Sequence, residues 1–474
     1  MATAVALPAK TATSFSKWIR LAISAAAGLA VYFMPASAGL SHTAQTILAI
    51  TAFTVGLWVM QVMNNAIASI LMMALMIPAG IKPALAFSGF SGPQFWVLLA
   101  VLYYGFAMQH TGLAQRVSYY ILSLFPATYS GILSAFFVIG AVLALGIPSM
   151  TVRTAIMTPI AWALVQSLGL EPRSRGSALI MLTTVEMAVT PGVGLLYGSL
   201  FGPIVDSMFQ QKHLPLTWLG YAAVLEIPTL ILCALIVAGN QLVLKPERAL
   251  DSSREFVKNK LAGLGAMKRA EMITAIVVVV SIIYWATDRY HHMPSFFIGM
   301  LGLTVFALAG IVRDQDIAGG VSWILLIFMG GIFSLANVIQ EYKITDWLAH
   351  YFVPVAQSLT FSKLVFLLAV ALAMYLLRFL DPSAFIAIPV LFLPIAGVAM
   401  EAGIAPLVLV GACLLASVPF WASYQNIWVA MGDGITGGNA FSSAQRVQLS
   451  TVYAVVVLIT IAISMVFWTL TGQV

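Results

Sequence analysis

The sequence predicts an all-α polytopic membrane protein, with about 11 transmembrane helices in two inverted repeats and two re-entrant helical hairpins. Three observations carry that expectation. Only 8% of the chain is charged and 61% is hydrophobic, whereas a soluble domain carries about 25% charged residues. Apolar runs near the ~20 residues that cross a bilayer recur from end to end. Prolines interrupt several of these runs at matching places in the two halves.

Residues 1–42 hold a polar, basic start and the first helix. The PASAG stretch at 35–39 has the small residues of a cleavage site, but Tyr32 and Phe33 continue the apolar run, so it is read as a span. A first transmembrane repeat occupies 43–243 and a second 272–474. Between them, 244–271 carries Lys245, Arg248, Arg254, Lys258, Lys260, Lys268 and Arg269. With Lys10, Lys17 and Arg20 this basic loop is placed in the cytoplasm. A charge run of this kind is read as a cytosolic loop, not a nucleic-acid patch. Cys233 and Cys413 lie in apolar runs and form neither a disulfide framework nor a metal set.

The halves echo each other twice, in the same order. FWVLLAVLYYGFAMQHTGLAQRVSYYI (95–121) matches SWILLIFMGGIFSLANVIQEYKITDWLAHYF (322–352), each an apolar helix, a polar turn and a short amphipathic tail. AIMTPIAWALVQSLGL (155–170) matches VLFLPIAGVAMEAGIA (390–405) around Pro-Ile-Ala. Pro148, Pro159, Pro191, Pro382, Pro389, Pro394 and Pro419 all fall inside apolar segments. Each removes a helix hydrogen bond, and lipid cannot satisfy the freed carbonyls, so these segments are expected to line an enclosed cavity. Repeats with paired broken helices mark secondary transporters.

The order of segments resembles the divalent-anion:sodium symporter family, which carries dicarboxylates, citrate and sulfate. GFSGPQFWVLLAVLYYGFAMQHTGLAQRVSYYIL (88–122) is similar to its early helix and horizontal tail. LAGLGAMKRAEMITAIVVVVSIIYW (261–285) is similar to its central loop leading into the second repeat. The resemblance spans roughly 45–470. Family members place Ser-Asn-Thr at each hairpin tip, ahead of a Pro-Ile pair. Here the first copy reads Ser149-Met150-Thr151 before Pro159-Ile160. The second falls on Ala384-Phe385-Ile386 before Pro394-Ile395, with Ser383 one place earlier and Asp381 at the acidic position. These tips hold carboxylate and sodium in the family, so the resemblance implies substrate contact by Ser149, Thr151 and Ser383. The missing asparagines leave sodium, a proton or anion exchange as alternative drives. Ser423-Tyr424-Gln425-Asn426 stands where the family has a Thr-Pro-Pro-Asn-like segment. This implies roles for Ser423 and Asn426, with interhelical hydrogen bonding as the alternative.

Chemistry points to further residues. A helix restarting at Pro148-Ser149 offers unpaired N–H groups and the positive end of its dipole to an anion, while N-capping by Ser149 needs no ligand. Arg153 lies on nearly the same face, with a planar fork suited to a carboxylate. Pairing to an acid or snorkelling is its alternative. Arg378 is expected to pair with Asp381. In TTVEMAVTPGVGLLYGS (183–199), Thr190, Gly192 and Gly194 permit unwound backbone whose carbonyls coordinate a cation. Glu186 is either a proton carrier or an arginine partner. Neither a Walker A sequence nor a nucleophile elbow is present, which excludes neither transport nor binding but gives no sign of an enzyme.

The expectation is a multi-pass inner-membrane carrier of small di- or tri-anions, working by alternating access. It has no cofactor beyond sodium or proton coupling, forms a homodimer as the resemblance implies, and binds no nucleic acid. An ion antiporter or a carrier of sulfate or arsenite is the second reading.

Overall fold

The computed structural model describes residues 14–35, 39–250, 254–379 and 384–474. Among the described residues, seven helices are long and apolar enough to cross a membrane. They become eight if Pro93–Thr111 and Leu113–Leu124, which meet at 68°, form one broken span. Shorter apolar helices such as Asn65–Met76, Lys363–Leu377 and Ala387–Glu401 accompany them.

The chain forms two compact units. The first joins residues up to 95 with 322–352. Its helices Ser14–Tyr32 and His42–Val59 lie against each other, and Trp323–Glu341 packs on Asn65–Met76. Ser334 receives the Gly89 amide at 2.9 Å, and Trp58 meets Phe328 edge-on at 5.2 Å.

The second unit, 96–321 with 353–474, contains every site residue foreseen from sequence that the structure describes. Nine of its helices matter for function: α1 (Tyr129–Gly146), α2 (Met150–Ser167), α3 (Arg175–Val189), α4 (Trp218–Val243), α5 (Lys363–Leu377), α6 (Ala387–Glu401), α7 (Pro406–Leu415), α8 (Ile427–Ile435) and α9 (Ser443–Leu470). α3 is the buried centre. Every residue from Gly176 to Val189 is shielded, and α1, α2, α4, α8 and α9 pack around it. The outer helices turn apolar faces outward, as Ile276, Val279, Val280 and Ile283 do on Arg269–Ala286. Such exposed aliphatic surface suits lipid, not water.

The internal echo reappears as element order. A long helix and a short one follow each other twice, Pro93–Thr111 with Leu113–Leu124 and Trp323–Glu341 with Ile344–Ser358. Left-handed residues mark both turns, Gly112 at φ 88° and Lys343 at φ 54°. Proline stands inside α2 (Pro159) and inside α6 (Pro394). After each comes a helix that stops abruptly. α3 gives way to a 3-10 turn at Thr190–Gly194, and α7 ends at Leu415 ahead of an irregular stretch that lasts until α8.

The basic loop is anchored by its own charges. Glu247 accepts the Arg175 and Gly176 amides at 2.7 and 3.2 Å, which caps α3. Arg248 donates to the Leu168 and Gly169 carbonyls at the end of α2, both at 2.8 Å. Arg116 meets Glu271 at 2.5 Å and the Gly265 carbonyl at 2.8 Å.

Candidate functional site

Two helices begin inside the second unit. α2 starts after Ile147-Pro148, where α1 has ended. Ser149, 2% exposed, takes the N-cap, and its Oγ accepts the Val152 amide at 3.3 Å. α8 starts after the irregular stretch 416–426, where Asn426 is the N-cap. Its Oδ1 accepts the Trp428 and Val429 amides, each at 3.1 Å, and its Nδ2 donates to the Val418 carbonyl at 3.2 Å. The Trp428 indole N–H donates to Thr151 Oγ1 at 3.1 Å, so the first turns of α2 and α8 are joined. Their remaining N–H groups and dipoles make both starts electropositive without a mobile charge. Thr151 is exposed, and so is Ser423 on the stretch before α8. The structure thus brings Ser149, Thr151 and Asn426, each foreseen separately as a candidate contact, to the joined starts of α2 and α8. Sequence reasoning missed Trp428, which reads as an ordinary apolar residue.

Arg153 is fully buried, and its fork is spent on backbone. Nε donates to the Ala188 carbonyl at 2.6 Å, Nη1 to Ile147 at 2.7 Å and Gly198 at 2.6 Å, and Nη2 to Val189 at 3.3 Å. Ile147, Ala188 and Val189 are where α1 and α3 stop, and Gly198 lies in the turns beyond the 3-10 segment. The guanidinium therefore ties two broken helix ends together and places its charge under the start of α2. The glycine at 192 follows from this contact. A Cβ there would lie 2.0 Å from the Gly198 carbonyl and 2.5 Å from Arg153 Nη2.

The second half holds a counterpart. Arg378, at the end of α5 and 1% exposed, donates from Nη2 to the Gln425 carbonyl, just before α8. Each broken stretch is thus held by a buried arginine. Asp381 and Ser383 lie outside the described residues, so the structure does not reach the expected Arg378–Asp381 pair. Chain beyond them starts at Ala384 in left-handed backbone, φ 64°.

The segment foreseen as a cation site is tightly closed. Glu186, 4% exposed, directs Oε2 to Asn240 Nδ2 of α4 at 2.6 Å, and the same amide reaches Thr183 Oγ1 at 3.0 Å. Thr190 Oγ1 is buried without a hydrogen-bond partner. Gly194 faces Glu226 and Thr229, whose atoms would stand 2.4 and 3.0 Å from an added Cβ. The Val193 carbonyl accepts the Tyr221 hydroxyl at 2.9 Å. Asn240 is the residue sequence reasoning passed over, and Glu226 is one to which it gave no role. The paired amides Asn240-Gln241 near the end of the 26-residue apolar α4 were the available signal.

Known proteins agree with this architecture. A family described as the sodium:sulfate symporter transmembrane region matches residues 15–474. Inner membrane protein YbhI of Escherichia coli is 26% identical over 85% of this chain and 87% of its own. An L-tartrate/succinate antiporter of Shigella sonnei is 21% identical over 81% of this chain and 80% of its own. The chloroplastic dicarboxylate transporter 1 of Spinacia oleracea is 24% identical over 71% of this chain and 60% of its own. The Alcanivorax borkumensis YdaH transporter shares the fold, with a TM-score of 0.54 at 14% identity over 97% of both chains. With a family match across nearly its whole length, the chain belongs to the sodium:sulfate symporter family, the divalent-anion:sodium symporters that its sequence resembles.

Proposed function

We propose that the chain is a secondary transporter of small dicarboxylates in the inner membrane, working as a homodimer by alternating access. One observation carries the reading: the N-termini of α2 and α8 begin side by side, tied by the Trp428–Thr151 hydrogen bond. Two positive helix ends from opposite repeats suit a solute with two negative ends. Arg153 and Arg378 support them from behind, replacing with fixed charge part of what a bound sodium ion supplies. The reading assigns contact to Ser149, Thr151, Ser423 and Asn426, with Ser383 completing the second tip. It requires no cofactor, and an ion gradient or a counter-anion supplies the drive. Relatives named for dicarboxylate and for tartrate and succinate favour this substrate class over sulfate.

Uptake of labelled succinate, citrate, 2-oxoglutarate and sulfate into proteoliposomes tests it. Saturable succinate uptake with trans-stimulation by unlabelled succinate is expected. Flux without saturation would indicate a channel, and uptake of sulfate alone would replace the substrate class.

A further inference from the structure

The buried polar group between α3 and α4 asks for a ligand of its own. Glu186 Oε1 and Asn240 Oδ1 are shielded from solvent, and neither has a hydrogen-bond partner. Both residues are more than nine-tenths buried. The carboxyl group receives one donor, the Asn240 amide, where a carboxylate accepts about four hydrogen bonds. Ion pairs among the described residues are Arg116–Glu271 and Arg313–Asp316, so Glu186 has no salt-bridge partner there.

The surrounding charges are few. α2 brings Arg153, whose guanidinium is taken by carbonyls, including those two and three residues beyond Glu186. From α4 come Glu226 and Cys233. Tyr453 of α9 binds the Leu415 carbonyl and the Val418 amide. On α8 stands Asp433, in the field of Arg173 and Arg446. α1 contributes only Tyr129, against Gly176 at the far end of α3. The 3-10 turn carries no titratable side chain.

We infer that Glu186 and Asn240 form a proton-binding site that sets the charge beneath the anion site through Arg153. A proton added to Glu186 Oε1 forms one O–H bond and supplies the donor that these two orphaned acceptors lack. A hard cation takes a shell of about six oxygens, and two orphaned acceptors fall well short. With Glu186 ionised, its negative charge opposes that of Arg153, which holds the carbonyls two and three residues further along the same helix. With Glu186 protonated, the positive charge behind α2 stands uncompensated and favours a dianion at the helix start. Proton and dianion therefore bind together and leave together, which is symport. This deepens the carrier reading and rests on it.

Proteoliposomes with acid outside test the coupling. Wild-type succinate uptake should rise about tenfold over the gradient-free rate, the size of an ordinary coupling between two sites. The Glu186→Gln protein, locked in the uncharged form, should show the same rate with and without the gradient. Persistence of the pH response in Glu186→Gln would overturn the inference, as would a wild-type protein driven by a sodium gradient and indifferent to pH. Detergent-solubilised wild type should also take up about one proton on binding succinate, and binding without proton uptake overturns the inference. If succinate neither binds nor moves, the carrier reading fails, and infrared spectroscopy still decides the proton site. A carboxylic-acid C=O band at acidic pH that Glu186→Gln lacks supports it, and identical spectra refute it.

Discussion

The guanidinium of Arg153 stands 2.6 Å from the carbonyl oxygen of Gly198, 45 residues further along the chain. The contact spans the first broken stretch, and three more carbonyls share the same side chain. An arginine in an apolar helix is usually sought by a substrate or an acid. Here it satisfies the backbone that proline and glycine have released, and so makes an irregular segment tolerable at membrane depth.

Removing that fork should be costly. Arg153→Gln leaves buried carbonyls without donors, each worth about 1–3 kcal/mol, and the detergent-solubilised protein should lose at least about 3 kcal/mol of stability. Arg153→Lys keeps the charge but offers three donors from a point, not a planar fork, and should fall between. Thermal unfolding of the three proteins gives the order, and equal melting temperatures would remove the clamp from the account.

Glycine substitutions separate close approach from mere helix breaking. Gly192→Ala puts a Cβ 2.0 Å from a carbonyl oxygen, whereas Gly397→Ala on α6 meets nothing within 4 Å. The first should lower both melting temperature and transport. The second should be neutral or stabilising by up to about 1 kcal/mol, the helix preference of alanine over glycine.

How much of this was legible beforehand depended on which atoms do the work. Prolines and glycines announce interruptions by residue type, so the breaks at 148, 191 and 419 and the doubled element order were open to reading. Partners of Arg153 were not, because carbonyl oxygens carry no residue identity, and side-chain reasoning looked for an acid or a ligand instead. Glu226, two residues before Pro228 in an apolar run, gives no sign in the sequence of what it faces, yet its carboxylate reaches the 3-10 turn at Gly194. Trp428 was hidden for another reason: an indole N–H matters only once folding has set it against Thr151.

That indole contact predicts a measurable coupling. Trp428→Phe keeps the apolar surface and deletes the donor, and should weaken the apparent affinity for succinate. Thr151→Val removes the acceptor. A double-mutant cycle on KM should return about 1 kcal/mol of interaction between the two positions, and strict additivity would show that α2 and α8 are not joined there in the working protein.

The basic loop gives a pH dependence. Burial acts to raise the Glu247 carboxyl, but the Arg175 and Gly176 amides outweigh it and hold the group below the usual carboxylate range. A folded-state value below the unfolded one stabilises above the unfolded value and is lost as pH falls through the folded one. The melting temperature should therefore decline as pH falls from neutral into the carboxylate range, and Glu247→Gln should flatten part of that decline. An unchanged profile would detach the cap from α3 stability.

Chemical labelling tests the proposed anion site most directly. Cys233 and Cys413 are both buried, so a thiol at Thr151→Cys is the accessible one for a membrane-impermeant reagent. Succinate should slow its labelling in a saturable way and leave labelling of a control Lys258→Cys on the basic loop unaffected. Equal labelling with and without succinate at Thr151→Cys, while the protein still transports succinate, would contradict binding at the paired starts of α2 and α8.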